Sequence, residues 1–140
     1  MEKSEKRKVL VTAHRQDETE IFEKINQRFG FLLTYMPEQL TLENAERLKG
    51  YDAVAINAGC KVDQDMARAM QAAGIRFIAT RTAGKDHIDK NAIKKCGIKA
   101  ANVPVYSPNA ISEHTVLLIL SLLRKMKTQL KRIEEQYFFL

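Results

Sequence analysis

The chain has 140 residues, of which 45% are hydrophobic, and a formal net charge of +6. That length buries one core and is too short for two ordinary domains. It contains no run of about 18 apolar residues that would span a membrane, no apolar signal region behind its charged start, and no C-x-x-C pair or disulfide framework, a cysteine usage suited to a reducing cytoplasm.

The positive excess sits in Lys3, Lys6, Arg7 and Lys8, and again in Arg124, Lys125, Lys127, Lys131 and Arg132. Neither cluster has interleaved aromatics, a helix-turn-helix or a zinc pattern. Both read as solvated ends rather than a nucleic-acid surface.

In chain order, Val9–Ala13 is the first expected strand. Asp17–Arg28 follows as a helix, with Ile21, Phe22, Ile25 and Phe29 on one face. Gly30 then precedes a strand at Phe31–Met36. Thr41 can cap a short helix through Leu48, with Asn44 in the third position. Gly50 precedes a strand at Tyr51–Ile56. Asp63 can cap a helix over Gln64–Ala73 that turns Met66, Ala69, Met70 and Ala73 inward. Gly74 precedes a strand at Ile75–Thr80. Asp89 can cap Lys90–Cys96, and Gly97 precedes the last strand, Ile98–Val103. A Gly just past a helix adopts the left-handed conformation that ends it. Strands alternating with helices of this size predict a parallel sheet covered on both faces. Right-handed crossovers leave few topologies. The expectation is a flavodoxin-like sheet of order 2-1-3-4-5, with function at the carboxyl ends of the strands.

The last segment differs. Ser107 can cap a helix with Pro108 in its first position. From Asn109 it can run past Arg132, on the order of 35–40 Å. Its middle, Val116–Leu123, reads VLLILSLL and is apolar around most of its circumference. One sheet face buries one stripe of a helix. The rest requires a second domain or a second subunit.

Three strand-end loops could carry chemistry: Asn57-Ala58-Gly59-Cys60, Arg81-Thr82-Ala83-Gly84-Lys85 and Val103-Pro104-Val105-Tyr106. Gly84 permits a tight turn whose amides point at one anion, and Gly59 can do the same. Arg81 and Lys85 would add positive potential. A small carboxylate fits such a place. The pattern equally allows Gly84 only to turn the chain and Asp86 and Asp89 only to cap a helix. The histidines, His14, His87 and His114, and the cysteines, Cys60 and Cys96, lack zinc-ligand spacing, so no metal site is expected. A receiver-like signalling domain on the same sheet would need acidic residues where Ala13-His14-Arg15 and Asn57-Ala58-Gly59 stand.

The chain supplies Arg81, Gly84, Asp86, Ile88 and Asp89, then Gly97-Ile98, Asn102-Val103-Pro104, Tyr106-Ser107-Pro108-Asn109-Ala110-Ile111 and Glu113-His114. This order resembles the hinge region of the NAD-dependent D-isomer-specific 2-hydroxyacid dehydrogenases, the D-lactate dehydrogenases above all. The likeness extends to T-A-H-R-Q-D-E after the first strand and to Tyr137-Phe138-Phe139 at the end. It implies a substrate-binding domain over residues 1–104 and a hinge crossing with a long interdomain helix over 105–140. It implies a truncated form that ends past the first interdomain crossing, with the NAD-binding domain absent. It implies that the backbone at Ala83 and Gly84 holds the substrate carboxylate, that Tyr106 lines the pocket or hinge, and that the loop at Asn57 closes the other side. D-lactate dehydrogenases carry a bulkier aromatic side chain at the position of Asn57, a departure that bears on the substrate.

The resemblance further implies a small 2-keto or 2-hydroxy acid as substrate, NAD as cofactor of the full-length family, and a homodimer through the helix from Asn109 to Arg132. The family's catalytic Arg, His and Glu lie beyond this chain, so no catalytic residue is expected in it. The dinucleotide turn G-x-G-x-x-G is missing too, since no two of the six glycines stand two residues apart. The chain alone is expected to be inactive. The alternative reading is a non-catalytic dimerising module that binds a small carboxylate.

Overall fold

The computed structural model describes residues 6–137. Lys3 and the Phe138-Phe139 pair lie outside the described residues. The chain divides after Pro104 into two compact units, the second beginning at Val105.

The first unit is a five-stranded, all-parallel sheet of order β2-β1-β3-β4-β5. Its strands are β1 (Lys8–Val11), β2 (Leu32–Tyr35), β3 (Ala53–Ile56), β4 (Phe77–Thr80) and β5 (Lys99–Ala101). All five expected strands are present in the expected order, each shorter than its apolar run. In register, Val9 lies beside Ala53, and Ala53 beside Phe77. The fold is flavodoxin-like.

The helices follow their local signals. Asp63 accepts from the amides of Asp65 and Met66 and starts α2 (Gln64–Ala72). Asp89 accepts from Asn91 and Ala92 and starts α3 (Lys90–Lys95). Gly30, Gly50, Gly74 and Gly97 all have positive φ, from +68° to +90°, as expected for helix and turn ends. Leu42–Leu48 differs from the α-helix expected there: it forms 3₁₀ turns interrupted at Asn44. Asn44 spends its side chain on the Thr41 amide and the Gln39 carbonyl, 2.8 and 2.9 Å. Those bonds hold it off helical geometry, as local side-chain bonds do.

The two sheet faces are unequal. Leu10, Val54, Ile56 and Ile78 point into one core with Leu40, Leu48, Met66, Met70 and Ile93. The opposite face carries Val9, Val11, Ala53, Ala55, Phe77 and Ala79, beside α1 (Thr19–Asn26), and forms an open apolar groove. Ile21, Ile25 and Phe29 are therefore 61%, 54% and 63% exposed. The helical periodicity marked the right face of α1 but overstated its burial, because α1 alone does not cover the strands beneath it.

In the second unit, Pro108 opens α4 (Pro108–Leu123) in the first turn, as expected. Ser107 makes no side-chain cap bond there, because its own backbone is left-handed at φ +34°. The helix does not run through to Arg132. Lys125 is left-handed at φ +51° and separates α4 from α5 (Met126–Glu134). No side chain of either helix is buried.

Candidate functional site

The carboxyl ends of β1, β3 and β4 converge on one edge of the first unit. Arg81 organises it. Its guanidinium donates to Glu18 at 2.8 Å and to the carbonyls of Thr12 and Ala13 at 3.0 Å each. Its amide donates to the Ile56 carbonyl at the end of β3. The Phe22 ring lies 5.8 Å from the guanidinium carbon. Expected to add positive potential to an anion loop, Arg81 joins three strand ends through its two terminal nitrogens, while its buried Nε has no hydrogen-bond partner among the described residues. Ala13 needs that support: its φ of +48° is left-handed, a conformation disfavoured for a residue with a Cβ. The Ala13 amide is tied to the Glu38 carbonyl at 2.9 Å. Glu18 is pulled in both directions: burial opposes its charge, while the Arg15 amide and Arg81 favour it, and its carboxyl ends below the ordinary range.

The next loop, Thr82–Asp86, is shaped by bonds to its carbonyls. Asn102 donates its side-chain amide to the Ala83 carbonyl at 2.7 Å. The Thr82 hydroxyl donates to the Gly84 carbonyl at 2.6 Å. The Val103 amide takes the Thr82 carbonyl at 3.0 Å. Thr80 lies 2.8 Å from the Thr82 hydroxyl and 2.9 Å from Nε2 of His87, so His87 is drawn into the loop rather than simply facing solvent. Among the described residues, the amides of Ala83 and Gly84 donate to no protein acceptor. Both residues are exposed. The carbonyls of this turn are thus tied down, while its two amides remain without a protein acceptor among the described residues.

On the neighbouring strand end, Oδ1 of Asn57 accepts from Nε2 of Gln39 at 2.8 Å and from the Gly59 amide at 3.0 Å. Gly59 thus turns the chain onto Asn57. A Cβ on Gly59 would stand 3.0 Å from the Gln39 amide oxygen. Asn57 and Arg81 line one shallow pocket with Ala13, Arg15, Glu18, Ile21 and Phe22.

Of the expected site residues, Asn57, Ala83 and Gly84 fall on this edge of the first unit, while Tyr106 belongs to the second, 69% exposed. Sequence reasoning missed Gln39, Thr82, Asn102 and the structural use of Arg81 and Glu18. Asn102 was visible within the N-V-P segment, but its bond to Ala83 spans 19 residues. Cys60 is buried, and burial pushes its thiol up to about 11. His14 is buried against Tyr35, ring centres 4.3 Å apart, with Nε2 on the Thr19 hydroxyl. Among the described residues no three His, Cys, Asp or Glu side chains are placed to hold a metal ion. None of the described helices is long and apolar enough to cross a membrane.

Residues 9–137 match the catalytic-domain model of the D-isomer-specific 2-hydroxyacid dehydrogenases. The chain is 39% identical over 133 residues to the aromatic 2-oxoacid reductase of Clostridium sporogenes, covering 95% of this chain and 40% of that protein. It resembles the apo D-lactate dehydrogenase of Escherichia coli with a TM-score of 0.77 at 28% identity, covering 94% of this chain and 42% of that one. It resembles the Aquifex aeolicus D-lactate dehydrogenase complexed with NAD and lactic acid with a TM-score of 0.81 at 26% identity, covering 94% and 38%. The chain therefore spans about two fifths of the length of these relatives.

Proposed function

The chain belongs to the D-isomer-specific 2-hydroxyacid dehydrogenase family through its catalytic domain, and from that premise we propose that it is the substrate-binding part of an NAD-dependent D-2-hydroxyacid dehydrogenase. The whole enzyme would interconvert a small 2-keto acid and its D-2-hydroxy acid. In this reading the amides of Ala83 and Gly84 hold the substrate carboxylate, the loop at Asn57 closes the other side of the pocket, and Tyr106 is assigned to the hinge. The observation that carries the reading is the turn at Ala83-Gly84, with its carbonyls tied down and its amides free of protein acceptors.

The relatives include a structure with NAD and lactic acid, and NAD is the proposed cofactor of the whole enzyme. When bound, it would supply or accept the hydride. The residues of this chain do not fit it, since the six glycines supply no dinucleotide turn. The chain's own part is to bind and orient: two backbone donors fix the carboxylate, and the carbonyl carbon is set for a reaction whose acid and hydride lie elsewhere. The apolar helix α4 would pair with a second copy. Two free cysteines suit a cytoplasmic location.

The test has two arms. NADH fluorescence titration and pyruvate-dependent NADH oxidation with the isolated chain are expected to give neither binding nor turnover. Crystals grown with oxamate are expected to place its carboxylate within hydrogen-bond distance of the Ala83 and Gly84 amides. Turnover that tracks the purified protein, or oxamate bound only at other sites, would contradict the reading.

A further inference from the structure

The loop after β4 contains a chain of three hydrogen bonds whose direction is set by its last acceptor. The Thr82 hydroxyl meets the Gly84 carbonyl at 2.6 Å. A carbonyl only accepts, so the single hydroxyl hydrogen of Thr82 is spent there. The Thr80 hydroxyl lies 2.8 Å from that of Thr82 and must then donate to it. This spends the hydrogen of Thr80, which is buried and has Nε2 of His87 as its other neighbour at 2.9 Å. Nε2 of His87 therefore carries a hydrogen and donates it to Thr80. The other neutral tautomer, with its hydrogen on Nδ1, would make Nε2 an acceptor. Thr80 would then turn to the ring, and Thr82 would turn to Thr80 and away from Gly84.

A trans peptide points its N–H away from its C=O, so holding a carbonyl aims the amide of the next residue. The Thr82 carbonyl, held by the Val103 amide at 3.0 Å, aims the amide of Ala83. The Ala83 carbonyl, held by Asn102 at 2.7 Å, aims that of Gly84. The Gly84 carbonyl, held by the chain that starts at His87, aims the amide of Lys85. Among the described residues this third amide also has no protein acceptor. The start of the chain is anchored. The His87 carbonyl accepts from the Val62 amide and the Val62 carbonyl from the Asp89 amide, both at 2.8 Å. The peptide after Lys85 is held differently, by a turn bond from the Ile88 amide to the Lys85 carbonyl at 3.1 Å. Its amide belongs to Asp86, whose own carboxylate repels an anion.

We propose that the Lys85 amide is a third donor of the carboxylate site, and that His87 is the positioning residue that aims it, through Thr80 and Thr82. The proposal rests on the carboxylate reading given above. A carboxylate offers about four lone-pair sites on its two oxygens, so the amides of Ala83 and Gly84 leave room for another donor. Successive amides turned toward one anion form a nest. The first two amides are aimed by direct N–H donors. The third hangs on two hydroxyls that can each turn round, and a donor at His87 sets both toward Gly84.

The experiment titrates oxamate into the full chain and follows ¹H–¹⁵N spectra. The amides of Ala83, Gly84 and Lys85 should shift together along one saturation curve. Long-range ¹H–¹⁵N spectra of the imidazole should show the neutral His87 ring as the Nε2–H tautomer. His87→Leu removes the donor and spares the backbone bonds to Val62. It should weaken oxamate about three- to tenfold and flatten the Lys85 response while Ala83 and Gly84 still move. Thr82→Val should do the same. His87→Gln, whose NH₂ reaches about as far as Nε2, should restore both the affinity and the Lys85 shift, which a purely space-filling role for His87 would not require. An Nδ1–H tautomer, a Lys85 amide that stays still while Ala83 and Gly84 move, or a folded His87→Leu chain that binds oxamate as tightly as the unmodified one would each overturn the proposal and leave the carboxylate site standing. Should His87→Leu fail to fold, the tautomer and the Lys85 shift of the unmodified chain decide the matter. Silence at Ala83 and Gly84 would overturn both.

Discussion

The two units of this chain solve the burial problem differently. In the first, Leu48, Val54, Ile56, Met70 and Ile78 are fully buried in one core, and a network around Arg81 joins the strand ends. In the second, Val116 through Leu120 are each more than half exposed, and Leu122 is 80% exposed. An apolar patch of a few hundred Å² is already at the upper end of what monomers carry. The first unit buries one face of its sheet in its own core and leaves the other as an open apolar groove. The second is written for a surface that its own residues do not provide, and a partner helix would gain about 25 cal/mol for each Å² of apolar surface covered.

The difference can be broken most sharply by substitutions on either side of it. Leu48→Ala should destabilise the first unit by about 2–5 kcal/mol in urea denaturation, the usual range for a truncated core leucine. Leu118→Glu with Leu122→Glu should leave that transition within about 0.5 kcal/mol, and should instead convert a dimer to a monomer in sedimentation. An unmodified chain that is already monomeric at tens of micromolar would remove α4 as the pairing element.

A smaller effect is expected at the seam of the first unit. Arg81→Met would strand the Thr12 and Ala13 carbonyls, at a cost of about 1–3 kcal/mol. Its partner Glu18 adds a pH signature. The Glu18 carboxyl is held below its ordinary range, against burial, by the Arg15 amide and Arg81. Its stabilisation is therefore complete above the ordinary carboxylate range and is lost as pH falls through the depressed value. The stability gap between the unmodified chain and Glu18→Gln should narrow as pH is lowered from 7 to 3. A gap that widens would mean that Glu18 is not held as a carboxylate by this network.

Much of this was legible in the sequence, and the unevenness has physical causes. The strands, their order and the capping roles of Asp63 and Asp89 follow from local pattern, because caps and periodicity act within a few residues. The kink at Asn44 and the break at Lys125 were not legible, since neither position carries a Gly or Pro. The 3₁₀ turns at Leu42–Leu48 follow from a bond Asn44 makes to a carbonyl five residues back. At the site, Gly84 marked the turn. The residues that aim its amides, Thr82 and Asn102, act through bonds that no periodicity records. Arg81 was misread for the same reason: its Glu18 partner is 63 residues away.

The account's central claim is that the first unit carries an anion site built from backbone amides, independent of the basic residues near the end of the chain. Titration of the full chain with pyruvate, mapped residue by residue in ¹H–¹⁵N spectra, tests it directly. Saturable shifts centred on Ala83 and Gly84 are predicted, with Lys125, Lys131 and Arg132 unmoved at the same ligand concentration. Shifts confined to those basic residues, with Ala83 and Gly84 silent, would contradict it.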